Sequence, residues 1–338
     1  MKILIIRLSS LGDVLLTTPV LRCLKQQLNN AELHYLTKES ASSLLLDNPY
    51  LSKVWSLDVS SKSLVKSTIN SLRNEHFDYV VDLHNNWRSR RIRRAMHCKC
   101  LVYNKENLHK FLFILTKHNF MSGRHVVQRY LDAVKPLGVN DDGLGLDLSL
   151  PPIFDLENLK GESVGHTCLG ELLQRPYAVV AFGAQHATKC IPPDKLKLLC
   201  YSIHIPVVLL GDEKDRRLLQ NWGVSFDNRV YNFCGRTGLL LSAAIIKHAA
   251  VVVSADSAMM HVAAAMQRPT VAIFGATDPA LGFTPFRTIH VDCVVDDLRC
   301  HPCSRQGGPK CPKGHFNCMH LQQWQQIALA ANSLASQQ

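Results

Sequence analysis

The chain has no apolar run near the roughly 20 residues that a membrane-spanning helix requires, its longest such stretches being interrupted within about ten. The N-terminus does not read as a secretory leader either. The apolar run Ile3–Ile6 is too short for the central region of a signal peptide and reads as a first strand. Both absences predict a cytoplasmic protein whose 12 cysteines are mostly reduced. Glycine (18) and proline (15) are ordinary in number, which excludes collagen-like and low-complexity chains. The first βα turn has no G-x-G-x-x-G dinucleotide fingerprint. The loop around Lys189 has no G-x-x-x-x-G-K-[ST] phosphate loop, which argues against ATP hydrolysis.

The 338 residues, 46% of them hydrophobic, suffice for two domains of about 150 residues, each with its own core. The formal charge of +11 points to an anionic partner: nucleic acid, membrane headgroups or a phosphorylated substrate. Basic residues concentrate at Arg88, Arg90, Arg91, Arg93, Arg94 and Lys99, without interleaved aromatics or a known nucleic-acid motif, so nucleic acid is not the expected partner.

The order of elements is α/β in both halves. Strands are predicted at 2–8, 32–36, 53–57, 79–83 and 100–103. Helices are predicted at 13–28, 40–47, 63–75, 87–96 and 124–137, the last ended by Gly138. The segment 150–170, with Pro151, Pro152 and little periodicity, reads as a linker. Beyond it strands are predicted at 177–182, 207–210, 229–232, 251–254 and 270–274. Helices are predicted from Pro193 and at 213–222, 239–248, 257–266 and 321–335. Such alternation implies parallel sheets covered on both faces.

Two segments, KILIIRLSSLGDVLLTTP from Lys2 and AVVVSADSAMMHVAAAMQRPTVAIFGATDP from Ala250, run from an apolar strand through a polar turn into a helix. Such turns aim carboxylates and backbone N–H groups into a crevice at the strand ends. Asp13 stands at a helix start, where Asp is a common N-cap. The same position suits a general base poised over the crevice. Asp256 and Ser257 open a helix whose N-terminal amides suit a diphosphate. His261 is either a ligand contact or a hydrogen-bonded core histidine. Lys189, in the loop from Gly183, suits a phosphate as a point charge or is a solvated lysine. Glu213 suits ribose hydroxyls or is a first-turn helix carboxylate. Cys300, Cys303, Cys311 and Cys318 have the spacing C-x2-C-x7-C-x6-C, of which only the first half fits a zinc knuckle. Structural zinc, with His301 or His315 as substitute ligands, and reduced unligated thiols both stay open.

These segments together resemble glycosyltransferase family 9, the bacterial ADP-heptose:lipopolysaccharide heptosyltransferases. The resemblance rests on RLSSLGDVLLTTPVL, VVDLHNNWRSR (80–90), GAQHATKCIP (183–192), LLGDE (209–213), CGRTGLLLSAAIIKHA (234–249), SADSAMMHVAAAM (254–266) and PTVAIFGATDP (269–279), in this order. It implies a GT-B fold of two Rossmann-like parallel-sheet domains facing across a cleft. The expected parts are an acceptor domain at 1–155, a nucleotide-sugar domain at 171–320, and a terminal helix at 321–338 crossing back to the first domain. It further implies metal-independent, inverting transfer of heptose from ADP-heptose to a lipid-linked lipopolysaccharide inner-core acceptor, by an enzyme peripheral to the cytoplasmic face of the inner membrane.

By position, Asp13 matches the general base and Lys189 the diphosphate contact. Glu213, Thr237, Gly238, Asp256, Ser257, Ala258, Met259 and His261 match the donor site. Ser9, Ser10, Arg88, Arg90 and Arg91 become candidates for holding the anionic acceptor. The family's Asp-Thr-Gly turn is Asp256-Ser257-Ala258 here, which keeps the hydroxyl but adds a methyl where backbone approaches phosphate. The alternatives are a GT-B transferase or epimerase using another nucleotide sugar, a non-catalytic binding module, and a zinc-dependent nucleic-acid binder.

Overall fold

The computed structural model describes residues 1–337. The chain divides into two compact units, Met1–Glu106 with Arg124–Ser149, and Asn107–Gly123 with Leu150–Gln338.

The first unit is built on five parallel strands, β1 (Lys2–Ile6), β2 (Glu32–Lys38), β3 (Lys53–Leu57), β4 (Tyr79–Asp82) and β5 (Lys99–Val102), in the order β3-β2-β1-β4-β5. The central strand is apolar on both faces because helices cover both, and Ile3, Leu4, Ile5 and Ile6 are fully buried. Ile6 lies opposite both Leu36 and Asp82. Arg7, Thr37 and Leu83 therefore form the carboxyl edge of the sheet.

Helices α1 (Leu11–Leu15) and α2 (Thr18–Gln27) replace the single helix predicted over 13–28. Pro19, in the first turn of α2, has no N–H and would clash with the carbonyl of Leu15 in a continuous helix. The Thr17 and Thr18 hydroxyls take up the released carbonyls of Val14 and Leu15, both at 2.7 Å. Next come α3 (Glu39–Ser42), α4 (Lys62–Arg73) and α5 (Trp87–Ala95). Helix α6 (Asn107–Thr116) had no counterpart in the sequence reading and belongs to the second unit. The chain then returns to the first unit with α7 (Val126–Val134) and a 3-10 turn that Gly138 ends at φ 79°. Arg22 pins this return: it donates to Asp142 (2.6 Å), to the Gly145 carbonyl (2.9 Å) and to Asp147.

In the second unit the expected linker is folded. It holds α8 (Leu156–Leu159), a small antiparallel pair β6 (Ser163–Val164) and β7 (Thr167–Cys168), and α9 (Leu169–Leu172). Its apolar residues Leu159, Val164 and Leu169 are buried. The main sheet has six parallel strands: β8 (Ala178–Ala181), β9 (Val207–Leu209), β10 (Val230–Asn232), β11 (Val251–Ala255), β12 (Thr270–Ile273) and β13 (His290–Cys293). Their order is β10-β9-β8-β11-β12-β13. Around it lie α10 (Pro193–Ser202), α11 (Glu213–Trp222), α12 (Leu239–His248), α13 (Ala258–Ala265), α14 (Asn317–His320) and α15 (Trp324–Ala335).

The terminal helix α15 packs within the second unit. Trp324, Ile327, Ala328, Ala331 and Leu334, spaced along one face of α15, join Leu196, Leu199, Val251, Val253, Val271 and Ile273 in the core of the second unit. The expected boundaries at 155, 171 and 320 shift with it. The second unit takes in 107–123, 150–170 and α15.

Replacing Trp324, 4% exposed, by Ala removes the largest apolar anchor of α15. It should destabilise the second unit by about 3–5 kcal/mol, read as an earlier urea transition. A shift below about 1 kcal/mol would show that α15 is an adjunct to that core.

Candidate active site

In the first unit the chemistry collects past the end of β1. The loop folds so that Ser10, not Asp13, is the N-cap of α1, and Asp13 occupies the third helical position of a reciprocal capping box. The Asp13 carboxylate accepts from the Ser10 amide (3.0 Å) and the Ser10 hydroxyl (2.9 Å). Arg7 Nη2 lies 2.6 Å away, on the same oxygen, Oδ2. Arg7 is 7% exposed, donates also to the carbonyls of Ser9 (2.8 Å) and Leu83 (2.7 Å), and sits 5.7 Å from the Tyr130 ring. Burial pushes the Asp13 carboxyl upward. The Arg7 charge and the Ser10 and Arg7 hydrogen bonds outweigh it, and Asp13 rests below the usual carboxylate range. Burial, followed by the Arg7 and Lys105 charges, drives nearby His84 down to about 3, so its imidazole is neutral. Arg7 was missed in the sequence. The signal available was a cation placed one residue past a wholly apolar strand.

In the second unit Asp256 follows β11, and Ser257 is the N-cap of α13, making no side-chain cap bond of its own. Asp256 therefore does not cap. Its Oδ2 accepts from Lys189 Nζ at 2.8 Å and from the Thr277 hydroxyl at 2.6 Å. Lys189 is neither solvated nor free, since the pair is mostly buried, with side-chain exposures of 15% and 11%. Nothing in the sequence around Thr277 marks it for this contact. The Thr277 carbonyl is in turn 2.7 Å from His301 Nε2. Ala258 and Met259 are half-buried in the first turn of α13, and His261 is buried.

Glu213 opens α11 and is held by Arg216 (2.7 Å) and Arg217 (3.1 Å) of its own helix, which bring its carboxyl down to about 2. The Thr237 hydroxyl shares a hydrogen bond with Ser242 (2.8 Å), and Gly238 is the N-cap of α12. Asp215, also missed, points between two glycines. A Cβ would lie 1.9 Å from its Oδ1 at Gly183 and 2.5 Å from its Oδ2 at Gly211. These glycines make room for a half-buried carboxylate beneath the strand-end loops.

Other expected residues lie elsewhere. Arg88, Arg90 and Arg91 are exposed on α5, with Arg88 stacked 4.8 Å from the Trp87 ring centroid. Arg93 instead pairs with buried Asp82 at 3.1 Å. All twelve cysteines are free thiols. Cys300 Sγ contacts His315 Nε2 at 3.7 Å, while Cys303 Sγ turns to the Ala276 carbonyl. Among the described residues no three His, Cys, Asp or Glu side chains are grouped to hold a metal ion. Cys300, Cys303, Cys311 and Cys318 nonetheless lie close enough for their thiols to act on one another's charge. An open hollow of about 390 Å³ at Gln267, Pro269, Arg287, Thr288 and Ile289 lies by the amino end of β12, at the far end of the sheet from Lys189.

Two Rossmann-like parallel sheets with charged groups at their carboxyl edges define the GT-B class of glycosyltransferase fold. A family 9 glycosyltransferase of Veillonella parvula superposes with a TM-score of 0.79 at 20% identity, covering 100% of this chain and 98% of that one. The Escherichia coli ADP-heptose lipopolysaccharide heptosyltransferase II gives 0.71 at 20% identity, with coverages of 100% and 99%. In sequence, lipopolysaccharide heptosyltransferase 3 of Escherichia coli K12 is 24% identical over 292 residues, 79% of this chain and 80% of the relative. The profile of glycosyltransferase family 9 (heptosyltransferase) matches residues 65–312. The chain belongs to glycosyltransferase family 9 and is an enzyme of the heptosyltransferase kind.

Burial pushes the Asp215 carboxyl up to about 6, against the Asp212 amide, which favours its charged form. In the unfolded chain it titrates near about 3.9, so between the two values the folded state binds the extra proton. Stability from this group is full below about pH 4 and is lost as pH rises through about 6. Asp215→Asn lacks that titration. Its unfolding free energy should gain on the natural chain by about 1–2 kcal/mol from pH 4 to pH 7 in urea titrations. Parallel profiles would contradict a raised Asp215.

Proposed function

We propose that this enzyme transfers a heptose, with inversion, from ADP-heptose to an anionic, lipid-linked saccharide of the lipopolysaccharide inner core. The observation that carries the reading is the Asp13 carboxylate, held ionised past the end of β1 with Arg7 and Ser10 all bound through Oδ2. That anchoring leaves Oδ1 for an acceptor hydroxyl. The names of the relatives supply the donor and acceptor classes.

In this mechanism Asp13 accepts the proton of the acceptor hydroxyl. The acceptor oxygen forms a bond to the anomeric carbon as the bond to the diphosphate oxygen breaks from the opposite face. ADP leaves with that electron pair. Lys189 and the first amides of α13, at Ala258 and Met259, meet the charge on the leaving diphosphate. The reading therefore requires no metal for the chemistry. Asp256 and Ser257 orient the donor together with Lys189, and Met259 and His261 border it. Glu213, Thr237 and Gly238 take the ribose and base side. Ser9 and Ser10 border the acceptor hydroxyl, and Arg88, Arg90 and Arg91 meet acceptor phosphates and carboxylates. The acceptor's lipid and the charge of +11 place the enzyme, in this reading, peripherally at the cytoplasmic face of the inner membrane.

Asp13→Ala should abolish transfer while leaving ADP-heptose affinity, measured by calorimetry, within about twofold of the natural chain; undiminished turnover would sink the assignment. Lys189→Ala should weaken ADP-heptose binding by about tenfold or more. A preference for UDP over ADP in competition would move the enzyme to another nucleotide sugar.

Arg7→Met tests the anchoring. Arg7 lowers the Asp13 carboxyl, so its loss should move the acid limb of the kcat/KM profile to higher pH. An unmoved limb would mean that Asp13 is not the titrating base.

A further inference from the structure

Helix α6 buries Lys110 beside Phe113 and presents apolar side chains outward. A surface helix normally buries an apolar face and presents charge to water. Here the lysines turn inward. Lys110 is 7% exposed, with Nζ 4.9 Å from the centroid of the Phe283 ring. Just past the helix, Lys117 Nζ donates to the carbonyls of Ile114 (2.6 Å) and Pro302 (2.7 Å). The outward face carries Leu108, Phe111 and Leu115, exposed by 67%, 56% and 65% and spaced at i, i+3 and i+7. Phe120, 54% exposed, extends this apolar surface beyond the helix.

From Asn107 to Gly123 there is no Asp or Glu, and the charged residues are Lys110 and Lys117, flanked by His109 and His118. An anionic surface would meet attraction and no carboxylate. A ten-residue helix is only about 15 Å long and about 10 Å wide, far short of the roughly 800 Å² per partner of a stable protein interface. A lipid interface sets no such minimum, because insertion strength scales with the apolar area buried plus attraction to anionic headgroups.

We propose that α6, with Phe120, lies in the headgroup region of an anionic phospholipid bilayer and holds the enzyme at the membrane that carries its acceptor. The inference rests on the lipid-linked acceptor proposed above and names the surface that meets the lipid. Leu108, Phe111 and Leu115 would enter the acyl boundary, with Lys110 and Lys117 contributing positive charge behind them.

The test is co-sedimentation with vesicles of phosphatidylethanolamine and phosphatidylglycerol, against vesicles of phosphatidylcholine alone. The natural chain should bind the anionic vesicles, and less so as salt rises. Leu108→Ser, Phe111→Ser and Leu115→Ser combined should lower the partition coefficient by at least about tenfold. Leu46→Ser and Leu329→Ser, at exposed leucines elsewhere, should leave it unchanged. Transfer from ADP-heptose to a deacylated, water-soluble acceptor should be equal in the triple variant and the natural chain. Equal vesicle binding by the triple variant, or none by the natural chain, would overturn the proposal. So would a fall in oligomeric mass in the triple variant, which would make the stripe a contact between copies. Absence of transfer to the soluble acceptor by the natural chain would instead overturn the heptosyltransferase reading, and the vesicle data would still judge the helix.

Discussion

A strand buried on both faces cannot carry a charge along its length, so a central strand of a parallel sheet can offer charge only at its ends. That constraint organises both units. Arg7 follows the wholly buried Ile3–Ile6, and Asp256 follows Val251–Ala255. Asp82, fully buried, closes β4. Buried charges in these places need partners, and each finds one: Arg7 with Asp13, Asp256 with Lys189, Asp82 with Arg93. The first two pairs share a further property. In each, the partners converge on Oδ2 of the carboxylate. Such anchoring fixes a carboxylate without consuming it.

The second half-site depends on chain far from it in sequence. Beyond β12, Thr277 supplies the hydroxyl to Asp256, and His301 holds the Thr277 carbonyl. The amides of Cys303 and Ser304 both reach the Ala276 carbonyl at 3.1 Å. Gly308 exchanges hydrogen bonds with Thr188 next to Lys189. Gly307, at φ 92°, runs so close that a Cβ there would lie 2.9 Å from Lys189 Cδ. The cysteine-bearing segment thus acts through its backbone, as a strap that fixes the lysine and the threonine around one carboxylate. Its tie to α6, from Lys117 to the Pro302 carbonyl, draws residues 107–123 into the same unit.

Local pattern disclosed the sheets well. The apolar runs at Ile3–Ile6, Val251–Val253 and Val271–Ile273 can be little else, and α11 and α12 have the bounds read from their periodicity. The sequence reading failed where tertiary contact overrides local signal. β13, His290–Cys293, alternates polar and apolar over only four residues, too short to stand out, and pairs along the edge that β12 offers it. Helix α6 escaped notice because no glycine or proline marks its ends and its apolar residues run nearly unbroken around it. Asp13, Lys189 and Asp256 were legible because glycine turns and helix starts flag them. Arg7, Thr277 and Asp215 were not. Arg7 meets Asp13 six residues on and Asp215 closes a capping box with Asp212, while Thr277 reaches Asp256 from 21 residues away, and a single sequence does not state which of these groups meet.

The pairing also bears on how a diphosphate would be received. A lysine left bare at a mostly buried site loses solvation before any ligand arrives. Lys189 avoids that loss by resting 2.8 Å from Asp256. In the proposed reaction an incoming diphosphate exchanges one anionic partner for another, so the ammonium group is never without a counter-charge. Thr277 makes the exchange easier, because its hydroxyl remains on Asp256 Oδ2 while the lysine turns to phosphate. Asp13 differs: Arg7 is fixed by the Ser9 and Leu83 carbonyls as well and has no freedom to follow a ligand. In that proposed reaction the Lys189 pair opens to the diphosphate while the Arg7 pair stays closed, which separates a group that grips a leaving group from one that stays ionised and still.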